Sequence, residues 1–159
     1  MTLNQVGKHK AFVEEVGVIF EQTGLSRMAG RIFGWLLIAE PPHQSTAQLA
    51  EELVASKASI STMTRLLIRT NLIEKVCLPG VRQDYFRLRG DAWRHIIRHG
   101  LQDEISLFRN LAEHGLALSS APAFSRERLK EMRDIYTFLE QEFPALVNHW
   151  EKKTRRSTR

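Results

Sequence analysis

A mainly α-helical chain with one small β-hairpin is the fold class that three observations predict. Two short amphipathic helices, each opened by a serine, are separated only by a tight turn at Val54-Ala55. Directly after the second, the apolar spacing changes from the helical period to that of strands, with Pro79-Gly80 between two such runs. Longer amphipathic stretches lie on both sides. Helix, turn, helix and hairpin make a winged helix-turn-helix, here flanked by long dimerisation helices.

Residues 4–22 read as the first helix, because Val6, Val13, Val16 and Phe20 fall on one stripe with Phe12 and Ile19 beside it. Gly24 interrupts. Ser26 is a candidate cap for a second helix to Glu40, with Met28, Ile32, Phe33, Leu36 and Leu37 as its apolar face. Pro41-Pro42 ends it, since neither proline donates a helical hydrogen bond.

Ser45-Thr46-Ala47-Gln48 has the form of a capping box, and the helix it opens is expected to bury Leu49, Leu53 and Val54. Ser56 caps the next helix, Lys57 to about Thr70. Asn71 stands at its end, where a residue tolerant of left-handed backbone is favoured. Leu72–Leu78 and Asp84–Arg89 read as the hairpin strands. One long helix is expected over residues 91–118, with Trp93, Ile97, Leu101, Ile105, Phe108 and Leu111 on one side. After a loop with Pro122, a last helix starts near Ser125, carries Leu129, Met132, Ile135, Leu139, Phe143, Leu146 and Trp150, and is kinked or split by Pro144. The polar tail beyond Trp150 is expected to fray.

The formal charge of +5 is unevenly placed. Residues 45–90 carry seven Lys/Arg against four Asp/Glu and residues 150–159 five against one, whereas 91–149 carry seven against nine. The basic excess therefore lies on the helix-turn-helix, the wing and the tail, which points to a polyanionic partner for those parts. The one cysteine, Cys77, allows no disulfide within a chain and fits a reducing compartment. The N-terminus lacks the apolar core of a signal peptide, and no apolar run is long enough to span a bilayer. A cytoplasmic protein without a membrane partner is the expectation.

The function is read from the second short helix. Advancing about 100° per residue from Ser56 brings Ile60, Met63 and Leu67 together and puts Ala58, Ser61, Thr62, Arg65 and Arg69 opposite. That outer face is small, hydroxylated and cationic, with no acid, whereas an ordinary solvated face mixes Glu with Lys. Small residues let a helix sit deep in the major groove, hydroxyls bond base edges, and an arginine holds both acceptors of a guanine. Lys57, Ser56 and Ser59 at the helix start suit phosphates. Ser45 and Thr46 complete the candidate set, and Arg82 at the hairpin tip is placed for the minor groove. The partner expected is double-stranded DNA. The long outer helices have more apolar positions than a domain of this size needs, so a homodimer is expected, presenting two such helices about 34 Å apart.

Three stretches resemble the MarR superfamily of winged-helix regulators, its GbsR-like branch in particular. They are Gly24–Leu37 with Arg27, Gly30, Arg31 and Gly34; Leu49-Ala-Glu-Glu-Leu followed by Ser56–Ser61; and the wing Leu78–Phe86. The resemblance covers about residues 20–90. It implies a dimeric repressor or activator, often answering a small effector, with Ser56, Lys57, Ser59, Ser61, Thr62 and Arg65 at the major groove and Arg82 in the wing. The chain departs from the pattern where Asn71 replaces the usual glycine and where Val54-Ala55 stand in place of the common Gly-Val, a change that bears on the angle between the two short helices.

The bland readings are preferred elsewhere. Cys77 is taken as a packed thiol rather than a peroxide sensor, and His95 with His99 as a polar stripe rather than a metal pair. Trp35, Trp93, Trp150, Tyr85 and Tyr136 are taken as core rather than a cage for a quaternary ammonium. No nucleophile elbow, phosphate loop or metalloprotease helix occurs, so no enzyme and no cofactor are expected. The reading is one domain over 1–159: DNA binding in 24–90, dimerisation helices in 1–22 and 91–153, a basic tail in 154–159, and a repressor as the function. The rival is a winged-helix module for protein or RNA contacts.

Overall fold

A computed structural model describes the backbone of residues 3–118 and 122–157, and side chains over 7–98, 100–118 and 122–153. The chain divides into two compact units, Met1–Ala92 and Trp93–Arg159.

The first unit opens with an antiparallel helix pair, α1 (Leu3–Gln22) and α2 (Arg27–Ile38). They cross closely because glycines face the partner helix. A methyl group on Gly30 would stand 2.7 Å from Phe20 Cβ and 2.8 Å from the Val16 carbonyl oxygen, and one on Gly34 3.0 Å from Val16 Cβ. Phe20 packs on Phe33, ring centroids 5.4 Å apart. Val13 is buried; Val16 and Phe20 are half-buried. Ser26 has the backbone of a cap, but its hydroxyl makes no capping bond, so the expected Ser26 cap is corrected to a backbone one. The helix ends at Ile38, ahead of the two prolines.

The buried face of α2 (Ala29, Ile32, Phe33, Leu36) meets the short helix α4 (Lys57–Arg69), on which the other short helix, α3 (Thr46–Glu52), packs in turn. Leu49, Leu53, Ile60 and Leu67 complete that core. The capping box is present in full: Ser45 Oγ accepts from the Gln48 N–H, and Gln48 Oε1 from the Ser45 N–H. Asn71 ends α4 with φ 56°, as its side chain permits.

The hairpin strands are β2 (Ile73–Val76) and β3 (Tyr85–Leu88), shorter than expected, with Ile73 opposite Leu88 and Val76 opposite Tyr85. A two-residue strand that the sequence did not signal, β1 (Gln44–Ser45), pairs with the other edge of β3 and gives the order β1-β3-β2. Its register, Gln44 opposite Phe86, is set by a contact between residues far apart in the chain.

The second unit is an antiparallel helix pair. The expected single helix over 91–118 is three consecutive segments: α5 (Ala92–His95), a π-helical stretch (Ile96–Leu101) containing Gly100, and α6 (Gln102–Ala117). Bonds from i to i+5 break the α period. The expected stripe loses its phase accordingly: Ile105 is buried, while Trp93, Leu101 and Leu111 are exposed. The last helix, α7 (Ala123–Ser157), runs through Pro144 without splitting and continues past Trp150, where fraying was expected. It is held to α6 before the proline and to the π-helical stretch after it. Glu140 takes Ser106 Oγ at 2.6 Å and Arg109 at 2.8 Å, Val147 is buried, and Arg98 pairs with Glu151 at 2.7 Å. Phe108 stacks on Tyr136. No described helix is long and apolar enough to cross a membrane.

Candidate nucleic-acid interface

The outer face of α4 has the composition and exposure that the helical wheel predicts. Ser56 Oγ accepts from the Ser59 N–H at 3.1 Å, which fixes the first turn. Lys57, Ala58, Ser61, Thr62, Arg65 and Arg69 are exposed, Ser59 is half-buried, and Ile60 and Leu67 lie on the core side. Arg65 extends along the surface with its guanidinium 3.4 Å from Thr62 Oγ1. Thr64, to which the sequence assigned no role, is 1% exposed and donates its hydroxyl to the Ile60 carbonyl at 2.9 Å. A threonine buried this way satisfies its own polar atom within the helix.

Ser45 does not share the surface. It is buried, and its hydroxyl serves the capping box, so the structure removes it from the expected contacts. Thr46 is half-buried at the start of α3.

At the hairpin tip, Leu78 to Val81 form a turn closed by the Val81 N–H on the Leu78 carbonyl at 3.2 Å. Proline at the second position and Gly80 at φ 77° in the third suit a type II turn. Arg82 follows and is exposed.

Ion pairing sorts the seven cations of residues 45–90 into two sets. Lys75 meets Asp84 at 2.8 Å, Arg87 meets Glu74 at 2.6 Å, and Arg89 holds Asp91 through two nitrogens at 2.8 and 2.9 Å. The hydrogen bond that Lys75 donates to Asp84 holds it above the ordinary lysine pKa, and the one that Arg89 donates to Asp91 raises Arg89 likewise. These three brace the wing. Lys57, Arg65, Arg69 and Arg82 have no carboxylate partner among the described residues. No acid occurs between Leu53 and Ile73. A surface of unpaired cations and hydroxyls, with nothing anionic on it, is what a polyphosphate requires.

One residue at the turn into α4 lies differently from expectation, and another reaches that turn from α2. Val54, expected in the core, is 84% exposed, because it occupies the left-handed position after α3 with φ 49°. A side chain on Cβ costs about 1–2 kcal/mol there. Arg31, which the sequence singled out without a role, reaches from α2 to the Leu53 carbonyl at 2.9 Å. The available signal was a charged residue within the apolar run of α2.

Elsewhere, Cys77 is exposed just beyond β2, which overturns the packed thiol; the strand stops at Val76, one residue short of it. The side chain of His99 lies outside the described residues. Among those described, no three His, Cys, Asp or Glu side chains are grouped to hold a metal. Trp35 donates to Gln44, Tyr85 meets His43 edge-on and Tyr136 stacks on Phe108, so each of these rings has its own partner.

Comparison with known proteins identifies the lineage. Residues 91–153 match the MmpR5-like MarR family of transcriptional regulators. The HTH-type transcriptional regulator MmpR5 of Mycobacterium tuberculosis is 40% identical over 144 residues, which cover 90% of this chain and 87% of that protein. The chain belongs to the MarR family. A crystal structure of a transcriptional regulator superposes with a TM-score of 0.71 at 38% identity, covering 91% of this chain and 99% of the other. The putative HTH-type regulator YvaV of Bacillus subtilis is 28% identical over 86 residues, 54% of this chain and 48% of that one. This MarR-family chain is thus a DNA-binding transcriptional regulator.

Proposed function

We propose that the chain is a cytoplasmic homodimeric repressor, without enzymatic activity, that reads double-stranded DNA through α4 and answers a small effector. The observation that carries this reading is the acid-free outer face of α4 with its unpaired cations. Ala58, Ser61, Thr62 and Arg65 read base edges; Thr46, Ser56, Lys57, Ser59 and Arg69 hold phosphates; Arg82 enters the minor groove. Residues 24–90 bind DNA, 1–22 and 91–153 dimerise, and 154–159 form a basic tail. Within the family we read the chain as one of the GbsR-like branch, a reading supported by the spacing of Arg27, Gly30, Arg31 and Gly34.

Dimerisation is supported by apolar side chains that one copy leaves in water. Leu107 and Leu111 of α6 and Ile135, Phe138 and Leu146 of α7 are each more than half exposed. Patches of this extent on a soluble protein mark interfaces. The place for an effector is a groove of about 230 Å³ lined by Lys10, Val13, Arg31, Trp35 and Leu53, which is smaller than the roughly 300 Å³ at which drug-sized ligand sites begin and suits only a small molecule.

The test compares two cations of α4. Arg65→Ala is expected to cost about 1–3 kcal/mol at the preferred duplex and to relax preference at one base pair per half-site. Lys57→Ala is expected to weaken all duplexes alike. If Arg65→Ala lowers preferred and random binding equally, Arg65 is a backbone clamp and the assignment of the reading face fails.

A further inference from the structure

The turn that aims α4 is held from outside itself. The bonds from the Ala55 N–H to the Ala50 carbonyl (2.9 Å) and from the Val54 N–H to the Glu51 carbonyl (3.2 Å) close the turn in the pattern that normally has glycine at its left-handed position. Val54 stands there instead, and its exposed side chain packs on little that would favour that backbone. Alone, such a turn would relax toward other conformations and swing α4 with it. One residue after α3, the Leu53 carbonyl accepts the Arg31 guanidinium at 2.9 Å. The same guanidinium places Nε 2.7 Å from Glu14 Oε1 of α1. The arginine side chain is 21% exposed and that of Glu14 44%, so the guanidinium is mostly covered while the carboxylate side of the pair stays open to water. Three elements therefore meet on one planar group: α1 through Glu14, α2 through the arginine itself, and the start of α4 through the turn.

We propose that Arg31 is a positioning residue for DNA reading, which ties the α3–α4 turn to the α1–α2 pair and so sets the angle at which α4 meets the major groove. It touches no DNA. The role rests on the reading of α4 as the DNA-reading helix. It explains how the chain tolerates valine at a glycine position: the arginine supplies from outside the constraint that a glycine turn would provide by conformational ease. Lysine is not an equivalent, because its single nitrogen cannot stand both where Nη2 meets the Leu53 carbonyl and where Nε faces Glu14.

The test measures affinity for the best duplex recovered by selection from random oligonucleotides and for a scrambled duplex of equal length, with each variant well below its melting temperature. Arg31→Gln is expected to lose about tenfold at the selected duplex, with less than about twofold change at the scrambled one. Arg31→Lys is expected to recover less than half of that loss on a logarithmic scale. Adding Val54→Gly to Arg31→Gln is expected to restore most of the discrimination, since glycine holds the left-handed turn unaided. A role confined to stability would lower the melting temperature and leave the selected-to-scrambled ratio of the folded protein unchanged. The proposal is overturned if Arg31→Gln keeps the parental ratio while Arg65→Ala in the same assay lowers it. If Arg65→Ala also keeps the ratio, α4 is not the reading helix, and both the functional reading and this role fall.

Discussion

Replacing Gly30 by alanine puts a methyl group where α1 already stands. The added Cβ would lie 2.7 Å from Phe20 Cβ, 2.8 Å from Phe20 Cγ and 2.8 Å from the Val16 carbonyl oxygen. Comfortable carbon contacts begin near 3.5 Å, so roughly 0.7–0.8 Å has to be opened. None of these atoms is the free end of a flexible side chain; two are Phe20 atoms next to the backbone and one is backbone itself. The helices must therefore separate, and overpacking of this kind costs about 1–3 kcal/mol. Alanine repays about 0.5–1 kcal/mol through its better helix propensity. The net loss is about 1–2 kcal/mol, or a melting temperature lower by about 2–8 °C for a chain of this length. Thermal unfolding followed by circular dichroism, at one fixed protein concentration, measures it. The opposite sign refutes the reasoning: if Gly30→Ala melts higher than the parent, propensity alone is being read and α1 and α2 do not cross this closely.

Three further outcomes are expected. Arg82→Ala should weaken DNA binding and flatten its salt dependence without changing the melting temperature, because an exposed, unpaired cation releases counterions only when it meets DNA; titrations at several salt concentrations measure the slope. Ser56→Ala should cost about 1 kcal/mol in denaturant unfolding, since the Ser59 N–H loses the acceptor that now caps it. Sedimentation at micromolar concentration should find a dimer, and Leu146→Glu, placed on an apolar side chain exposed in one copy, should shift it toward monomer.

What the sequence made legible was what local chemistry determines. The capping box at Ser45–Gln48, the Ser56 cap, the two faces of α4 and left-handed Asn71 each depend on residues within one or two turns of one another. The Pro79-Gly80 turn is of the same kind. What escaped depends on distant partners. Strand β1 is two residues long and has no periodicity to display; it exists because β3 offers an edge. Ser45 looks like a surface hydroxyl until that pairing buries it. Val54 is apolar and was expected inside, but the backbone geometry after α3 turns it outward. Pro144 would break an isolated helix, yet α7 is held on both sides of it, by Arg109 of α6 before and by Arg98 of the π-helical stretch after. Arg31 was visible as a residue, but its partner carbonyl, 22 positions away, was not.

The central claim is that two copies of α4 read one duplex. Selection of bound duplexes from random oligonucleotides, followed by sequencing, tests it directly. The account predicts an enriched inverted repeat whose half-site centres lie one helical turn apart, about 34 Å, or a whole multiple of that spacing. Enrichment of a single asymmetric site, or of no sequence at all, would contradict it.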